Sequence, residues 1–391
     1  MTDPSLLVSY TIRPGAGSEA GVGWAFLEAS LKRSDGQVHL VFDARDRAPV
    51  ADELERSGRM GRVVLHPVPV PRPVLRASGD RRTRQSYLAW LPAARAMVRA
   101  LAAQESLAAA HQVTFASAVL PPALVPHAAR RVVWGPLSVP VSALGARSRP
   151  SRRSRAAVAA VQRIAAHNLA AADLIVSNNG HTQAFVERHG RSGVIEPNIV
   201  VERLDERAGR VDPVALVMAG HLVARKRPWL AVQALRDPRL RDLRLDVLGG
   251  GPLLPELRHL VDEHGLGERI RFLGSVPRAR TLAIMSTSRL LVHPSSREGS
   301  PWVVGEAAAV GLASVVMPGS GSEATVELSA NGGVIAPDRG AGREVDALVD
   351  GILLGLQRPQ PAPSSRWSSA RLPGLLDDWY REAGRSAAGQ V

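Results

Sequence analysis

The chain has 391 residues, 45% of them hydrophobic, and a net charge of +13 from 49 Lys and Arg against 36 Asp and Glu. That length exceeds one ordinary core and calls for two domains. The charge admits phosphates, nucleic acid or acidic lipid as partners, or a solvated arginine-rich surface. There is no cysteine, which excludes disulfides, thiolate metal sites and a cysteine nucleophile and fits a reducing compartment.

"MTDPSLLVSYTI" has no basic leader and only a strand-length apolar run, and nowhere do 18 apolar residues follow one another, so a cytoplasmic protein is expected. Short β-branched runs then alternate with Ala/Leu/Arg-rich helical patterns. "LLVSYTI" leads to a helix through "GWAFLEASLKR", "VHLVFD" to a helix near "PVADELERSG", and "RVVLHPV", "QVTFAS", "RRVVWGPL" and "ADLIVSN" follow. Such alternation predicts a parallel sheet covered by helices on both faces.

Periodicity fades in "GVIEPNIVVERLDERAGRVDP", where Pro, Gly and charge accumulate, and a domain boundary is expected near residue 205. The pattern restarts with "VALVMAG", "LRLDVLGGG", "IRFLGSV", "RLLVHPS", "LASVVMPG" and "GGVIAP", a second doubly wound domain over 206–360. Residues 361–391 read as a Pro/Ser-rich linker and a terminal helix, "LPGLLDDWYREAGR", packing back on the body.

"EGSPWVVGE", residues 298–306, holds two carboxylates astride a helix start. Ser300 as N-cap and Pro301 at the first helical position predict a helix running to Gly311. Glu306 then lies roughly 8 Å along the axis at ~1.5 Å per residue, too far from Glu298 for proton sharing. Two such carboxylates, with helix N–H groups and positive dipole between them, suit the two ends of a ligand with an anionic middle. A nucleoside diphosphate sugar has that shape. In isolation the pair reads as a turn cap and a polar surface residue.

"AGHLVARKRPWLAVQAL", "LDVLGGGPLLPELRHLVDEHGLGERIRFLGSV" and "SREGSPWVVGEAAAVGLASVVM" together resemble, in order and spacing, the donor-binding half of the retaining glycosyltransferases of family four. That family includes glycogen synthase-like and mannosyl-transferring enzymes. The resemblance implies an α/β GT-B fold, two Rossmann-like doubly wound domains facing a central cleft, with 1–205 binding the acceptor and 206–360 the donor. It implies that Glu306 holds ribose hydroxyls and Glu298 the transferred sugar, that Gly299, Ser300 and Pro301 cradle sugar and phosphates, and that Lys226 contacts the diphosphate. Where the family has an arginine this chain has His221, with Arg225 or Arg227 to supply the charge.

In the first half, "RPGAGSEAGVGW" is a glycine-rich turn that lets backbone, Gly17 included, approach a phosphate. It resembles a family subgroup with a Gly-Ser-Glu-Pro-Gly-Val-Gly-Trp signature, Ala20 replacing proline. Glu19 is expected to cap the helix or face the acceptor, and His111 matches the position that faces the donor sugar, its alternative being a satisfied core histidine.

The basic run Arg147 to Arg155 is read as a solvated loop or a peripheral contact with anionic membrane. With 4% aromatics and no stacking pattern, nucleic acid is not expected as a partner.

The expected function is retaining, metal-independent transfer of a sugar from a nucleoside diphosphate, UDP or GDP, with no other cofactor. The expected acceptor, set by N-terminal loops such as 71–87, is a small polar molecule of secondary metabolism, the alternative a lipid-linked or polysaccharide acceptor at a membrane. Two readings of other classes stand beside it. One is an NAD-dependent oxidoreductase with Asp43 on a ribose, although Gly15, Gly17, Gly21 and Gly23 do not make G-x-G-x-x-G. The other is a non-catalytic sugar-nucleotide binder.

Overall fold

The computed structural model describes residues 3–79, 81–139, 152–201, 209–296, 298–330 and 332–388. The boundary expected near residue 205 lies outside them, as does the basic run Arg147 to Arg155 apart from the backbone of 152–155, which opens the helix Arg152–Leu169. Residues 1–198 with 369–391 form one compact unit and 199–368 a second.

The first unit is built on seven strands, β1 (Ser5–Ser9), β2 (Val38–Asp43), β3 (Val63–Val68), β4 (Ala109–Gln112), β5 (Val132–Leu137), β6 (Leu174–Ser177) and β7 (Gly193–Ile195). They lie in the order β3-β2-β1-β4-β5-β6-β7, every pairing parallel. β1, β2, β4 and β5 are buried along their whole length, as sheets covered on both faces require. The helix Ser18–Arg33 returns from β1 so closely that a Cβ on Gly23 would stand 2.3 Å from Ser9 Oγ and 2.7 Å from the Thr11 carbonyl. The glycine there is a packing requirement.

Two sequence expectations are corrected in this unit. β4 is "AAHQ", not "QVTFAS", so His111 sits inside a strand flanked on both sides and not at its edge. The stretch 71–87, read as a loop, contains the helix Arg72–Ser78 and the start of the helix Arg84–Gln104, which Thr83 and Ser86 open with a reciprocal capping box. The terminal helix Leu372–Ala388 lies on the helix Ser18–Arg33 and on β5 and β6.

The second unit repeats the plan with β8 (Ala215–Ala219), β9 (Arg244–Leu248), β10 (Ile270–Gly274), β11 (Leu290–His293), β12 (Ser314–Val316) and β13 (Val334–Ile335). Their order is β10-β9-β8-β11-β12-β13, again all parallel. Numbered from its own first strand this is 3-2-1-4-5-6, the doubly wound order.

Glycines set the approach of the loops above this sheet. A Cβ on Gly249 would fall 2.0 Å from the Gly220 carbonyl, and one on Gly251 2.5 Å from the Leu222 carbonyl. "LGGGP" is therefore what lets the loop after β9 lie against the loop after β8.

Candidate functional site

In the second unit the strand order reverses between β8 and β11, and open α/β sheets bind ligands outside the carboxyl ends of their strands at that point. β8 runs out into residues 220–227 and β11 into residues 294–301. Arg227 takes a left-handed conformation, φ 47° and ψ 47°, and its Nε donates to the Pro294 carbonyl at 2.9 Å. The Ser296 N–H donates to the Arg225 carbonyl at 3.1 Å, and Ser295 Oγ stands 3.1 Å from the same carbonyl oxygen. These bonds stitch the two loops into one platform.

On that platform Lys226 Nζ lies 2.5 Å from Glu298 Oε1. The Ser295 hydroxyl donates to the same oxygen at 2.6 Å, and Arg225 Nη1 lies 3.3 Å away. Burial pushes the Glu298 carboxyl up, but Lys226 and the Ser295 hydroxyl outweigh it, so its pKa falls below the ordinary 4.5. His293 is 2% exposed, and its Nε2 stands 3.8 Å from Glu298 Oε1 with no hydrogen-bond partner. Burial, aided by Lys226, lowers its pKa to about 3, so the ring is neutral. The site thus holds a clamped carboxylate, two cations and an unused imidazole nitrogen.

The helix after Glu298 is Trp302–Ala309, one residue later than expected. Pro301, not Ser300, is its N-cap, without a side-chain cap, because Pro301 takes extended ψ 114°. The stop falls as read, with Gly311 at φ 73°. Gly305 brings this helix against Ile199 and Trp367, where a Cβ would stand 2.4 Å from Ile199 Cγ2. Glu306 accepts from Arg278 Nε at 2.8 Å, and the Arg278 guanidinium lies 5.7 Å over the Trp302 ring.

The loop after β12 completes the platform. The Gly321 N–H donates to the Glu298 carbonyl at 2.9 Å, and a Cβ on Gly321 would lie 2.1 Å from the Gly299 carbonyl.

The structure therefore brings Arg225, Lys226, Glu298, Gly299, Ser300 and Pro301 together, with His221 exposed on the same loop as Lys226. Arg227, an alternative source of phosphate charge, is taken up by Pro294. Sequence reasoning missed Ser295 and His293, which stand in the quoted "RLLVHPS" as an uninterpreted strand end. It also missed Arg278 and Gly321, which carry no motif.

In the first unit the reversal falls between β1 and β4. The Tyr10 ring packs edge-on against Phe115 at 4.7 Å and Tyr87 at 5.2 Å, pinning the loop after β4 with Phe115 at φ 51°. Glu19 accepts the Phe115 N–H, and burial raises its carboxyl above the ordinary range despite that bond. Gly17 is the exposed N-cap of the helix Ser18–Arg33, and a Cβ there would meet nothing.

His111 is not on this rim. It is fully buried, with Nε2 2.8 Å from the Gly135 carbonyl, Nδ1 3.4 Å from the Tyr380 hydroxyl, and Phe26 and Trp379 edge-on to the ring. Burial lowers its pKa to about 4. The expectation that it faces a sugar is corrected: it is a satisfied core histidine. Asp43 is likewise enclosed, gripped by Arg45 at both oxygens, which removes the ribose contact of a dinucleotide site.

Two parallel-sheet Rossmann-like units of this order form the fold of GT-B glycosyltransferase structures. The chain has a TM-score of 0.60 to the lipopolysaccharide outer core galactosyltransferase WaaB at 12% identity, covering 99% of this chain and 100% of that one. It has the same TM-score to the E. coli trehalose-6-phosphate structure with bound UDP-2-fluoro glucose, at 13% identity, covering 99% and 98%.

Residues 201–364, the stretch that holds the platform, match the family described as Glycosyl transferases group 1. A GDP-mannose-dependent alpha-(1-6)-phosphatidylinositol monomannoside mannosyltransferase of Mycolicibacterium smegmatis is 27% identical over 45% of this chain and 47% of its own length. A phosphatidylinositol N-acetylglucosaminyltransferase component of Arabidopsis thaliana is 31% identical over 27% of this chain and 24% of its own. The matched stretch thus spans about half of the first relative and a quarter of the second.

Proposed function

We propose that the protein is a glycosyltransferase that binds a nucleoside diphosphate sugar on its second unit and transfers the sugar, with retention, to an acceptor bound by its first. The observation that carries this is the Lys226–Glu298 clamp at the strand-order reversal of the unit that matches the glycosyltransferase family. Lys226 and Arg225, with the dipole of the helix Trp302–Ala309, supply positive potential for a diphosphate and for the charge that develops as it leaves. Glu298 orients sugar hydroxyls and Glu306, steadied by Arg278, takes the ribose. The departing phosphate accepts the acceptor's proton, so that no metal is required, and a cysteine-free chain suits a cytoplasmic setting.

For the acceptor, the two relatives named for phosphatidylinositol substrates favour a lipid-linked or glycan molecule. Nothing in the structure favours the small-molecule acceptor expected from the sequence. The test is release of nucleoside diphosphate from UDP- and GDP-sugars with EDTA present, and the anomeric configuration of the product by NMR. Glu298→Gln should lower turnover more than nucleotide affinity, and Glu306→Ala should weaken donor binding. Wild-type kinetics in both variants would refute the assignment of the pair.

A further inference from the structure

Beyond the carboxyl end of β3 the chain forms the helix Arg72–Ser78, none of whose residues is buried, and then Thr83 opens the helix Arg84–Gln104. Between them lies a cavity of about 580 Å³ lined by Pro73, Val74, Ala77, Arg81 and Thr83 among others. The segment 72–84 holds five arginines, 72, 76, 81, 82 and 84, against one acid, Asp80.

These arginines have different fates. Arg82 is committed inward, its Nη2 2.7 Å from Asp46 Oδ1 and its Nε 3.8 Å from Asp43 Oδ2. Arg45, held by Asp43, donates to the Gly79 and Arg81 carbonyls at 3.2 and 3.4 Å. The buried Asp43 and Asp46 thus fasten Gly79, Arg81 and Arg82 to the sheet. Arg72, Arg76, Arg81 and Arg84 are exposed and make no ion pair among the described residues.

Of these four only Arg81 lines the cavity, together with the apolar Pro73, Val74 and Ala77, and a guanidinium fork matches phosphate geometry, while Arg72, Arg76 and Arg84 add exposed positive charge on the same segment. The fastened backbone keeps the cost of ordering the site low.

We propose that this cavity binds the phosphate of a phosphate-ester acceptor, with Arg81 as the direct contact and the Pro73–Val74–Ala77 wall against the adjoining carbon skeleton. The inference rests on the glycosyltransferase reading, whose acceptor it specifies.

Binding is measured on the full chain without donor, by titration with glycerol 1-phosphate and by sedimentation with phosphatidylinositol-containing vesicles against phosphatidylcholine vesicles. The variants are Arg81→Ser/Arg84→Ser and a charge-matched control, Arg241→Ser/Arg258→Ser. The proposal expects the wild type to bind one of the two phosphate probes, the first pair to weaken that binding at least about tenfold, and the control to leave it within about twofold. Binding of vesicles alone identifies the ester as a lipid headgroup, and binding of glycerol 1-phosphate identifies a soluble one.

No binding of either probe, or an equal loss in the control, overturns the proposal. A parallel titration with UDP and GDP keeps the two readings apart: nucleotide binding retained without phosphate binding sinks only the acceptor site. Absent nucleotide binding in every variant sinks the donor reading.

Discussion

Lys226→Ala removes the cation 2.5 Å from Glu298 Oε1, where Glu298 and Lys226 side chains are only 9% and 19% exposed. Two unit charges about 3 Å apart attract by roughly 5 to 6 kcal/mol at an effective dielectric of ~20, of which desolvation cancels the larger part. Deleting one partner of a buried pair costs about 3 to 5 kcal/mol when the other is left bare. Here Ser295 and Arg225 remain on the carboxylate, so we expect a loss of about 2 kcal/mol.

The pH dependence follows from the direction of the shift. In the wild type the Glu298 pKa is depressed below 4.5, so its stabilising contribution is present above that value and is lost as pH falls through the folded pKa. Without Lys226 the burial that pushes the carboxyl up meets less opposition, so its pKa rises and the cost of keeping it ionised is relieved on acidification. Urea unfolding of the wild type, Lys226→Ala, Glu298→Gln and the double variant at pH 7 and pH 4.5 reads this directly. The deficit of Lys226→Ala should shrink at pH 4.5, and Glu298→Gln should recover about half of it at pH 7. A deficit equal at both pH values, with strictly additive single variants, would refute the clamp.

His111, buried neutral with a pKa near 4, lies below its unfolded value of 6.5, so its contribution to stability falls as pH drops through that interval. Between pH 6.5 and 5 the loss is about 2 kcal/mol at 1.36 kcal/mol per unit, and His111→Gln should flatten the unfolding midpoint over that range. Gly321→Ala forces a Cβ against two backbone carbonyls of the Glu298 loop and should lower donor affinity at least about tenfold while costing ~1–3 kcal/mol of stability, read by nucleotide titration and urea unfolding. Arg278→Ala leaves Glu306 without its 2.8 Å donor and should raise the donor KM more than it lowers kcat, measured by initial rates.

The sheets were legible because fully buried parallel strands appear as unbroken apolar runs, and β8 to β13 fall inside the quoted segments. His111 was misjudged because "QVTFAS" is as β-prone as "AAHQ" and only the neighbouring strands β1 and β5 decide which is paired. The helix Arg72–Ser78 went unread because it buries no residue and so has no apolar period. Arg227 looked like a spare phosphate cation, but its left-handed backbone and the Pro294 carbonyl are long-range facts. His293 and Arg278 act across loops separated by turns of the sheet, and no local pattern marks them. What the sequence did carry was the helix that follows Glu298 and its stop at Gly311, since proline at a helix start and glycine just past its end are local signals.

We propose that the platform around Lys226 and Glu298 binds a nucleoside diphosphate. Thermal unfolding with UDP, GDP, ADP, dTDP and NAD, on the wild type and on Glu306→Ala, tests it most directly. At a hundredfold excess over Kd a ligand bound only by the native state adds about 2.7 kcal/mol. An upward shift with one diphosphate nucleotide, reduced in Glu306→Ala, is expected. A shift with NAD alone, or none with any diphosphate, would contradict it.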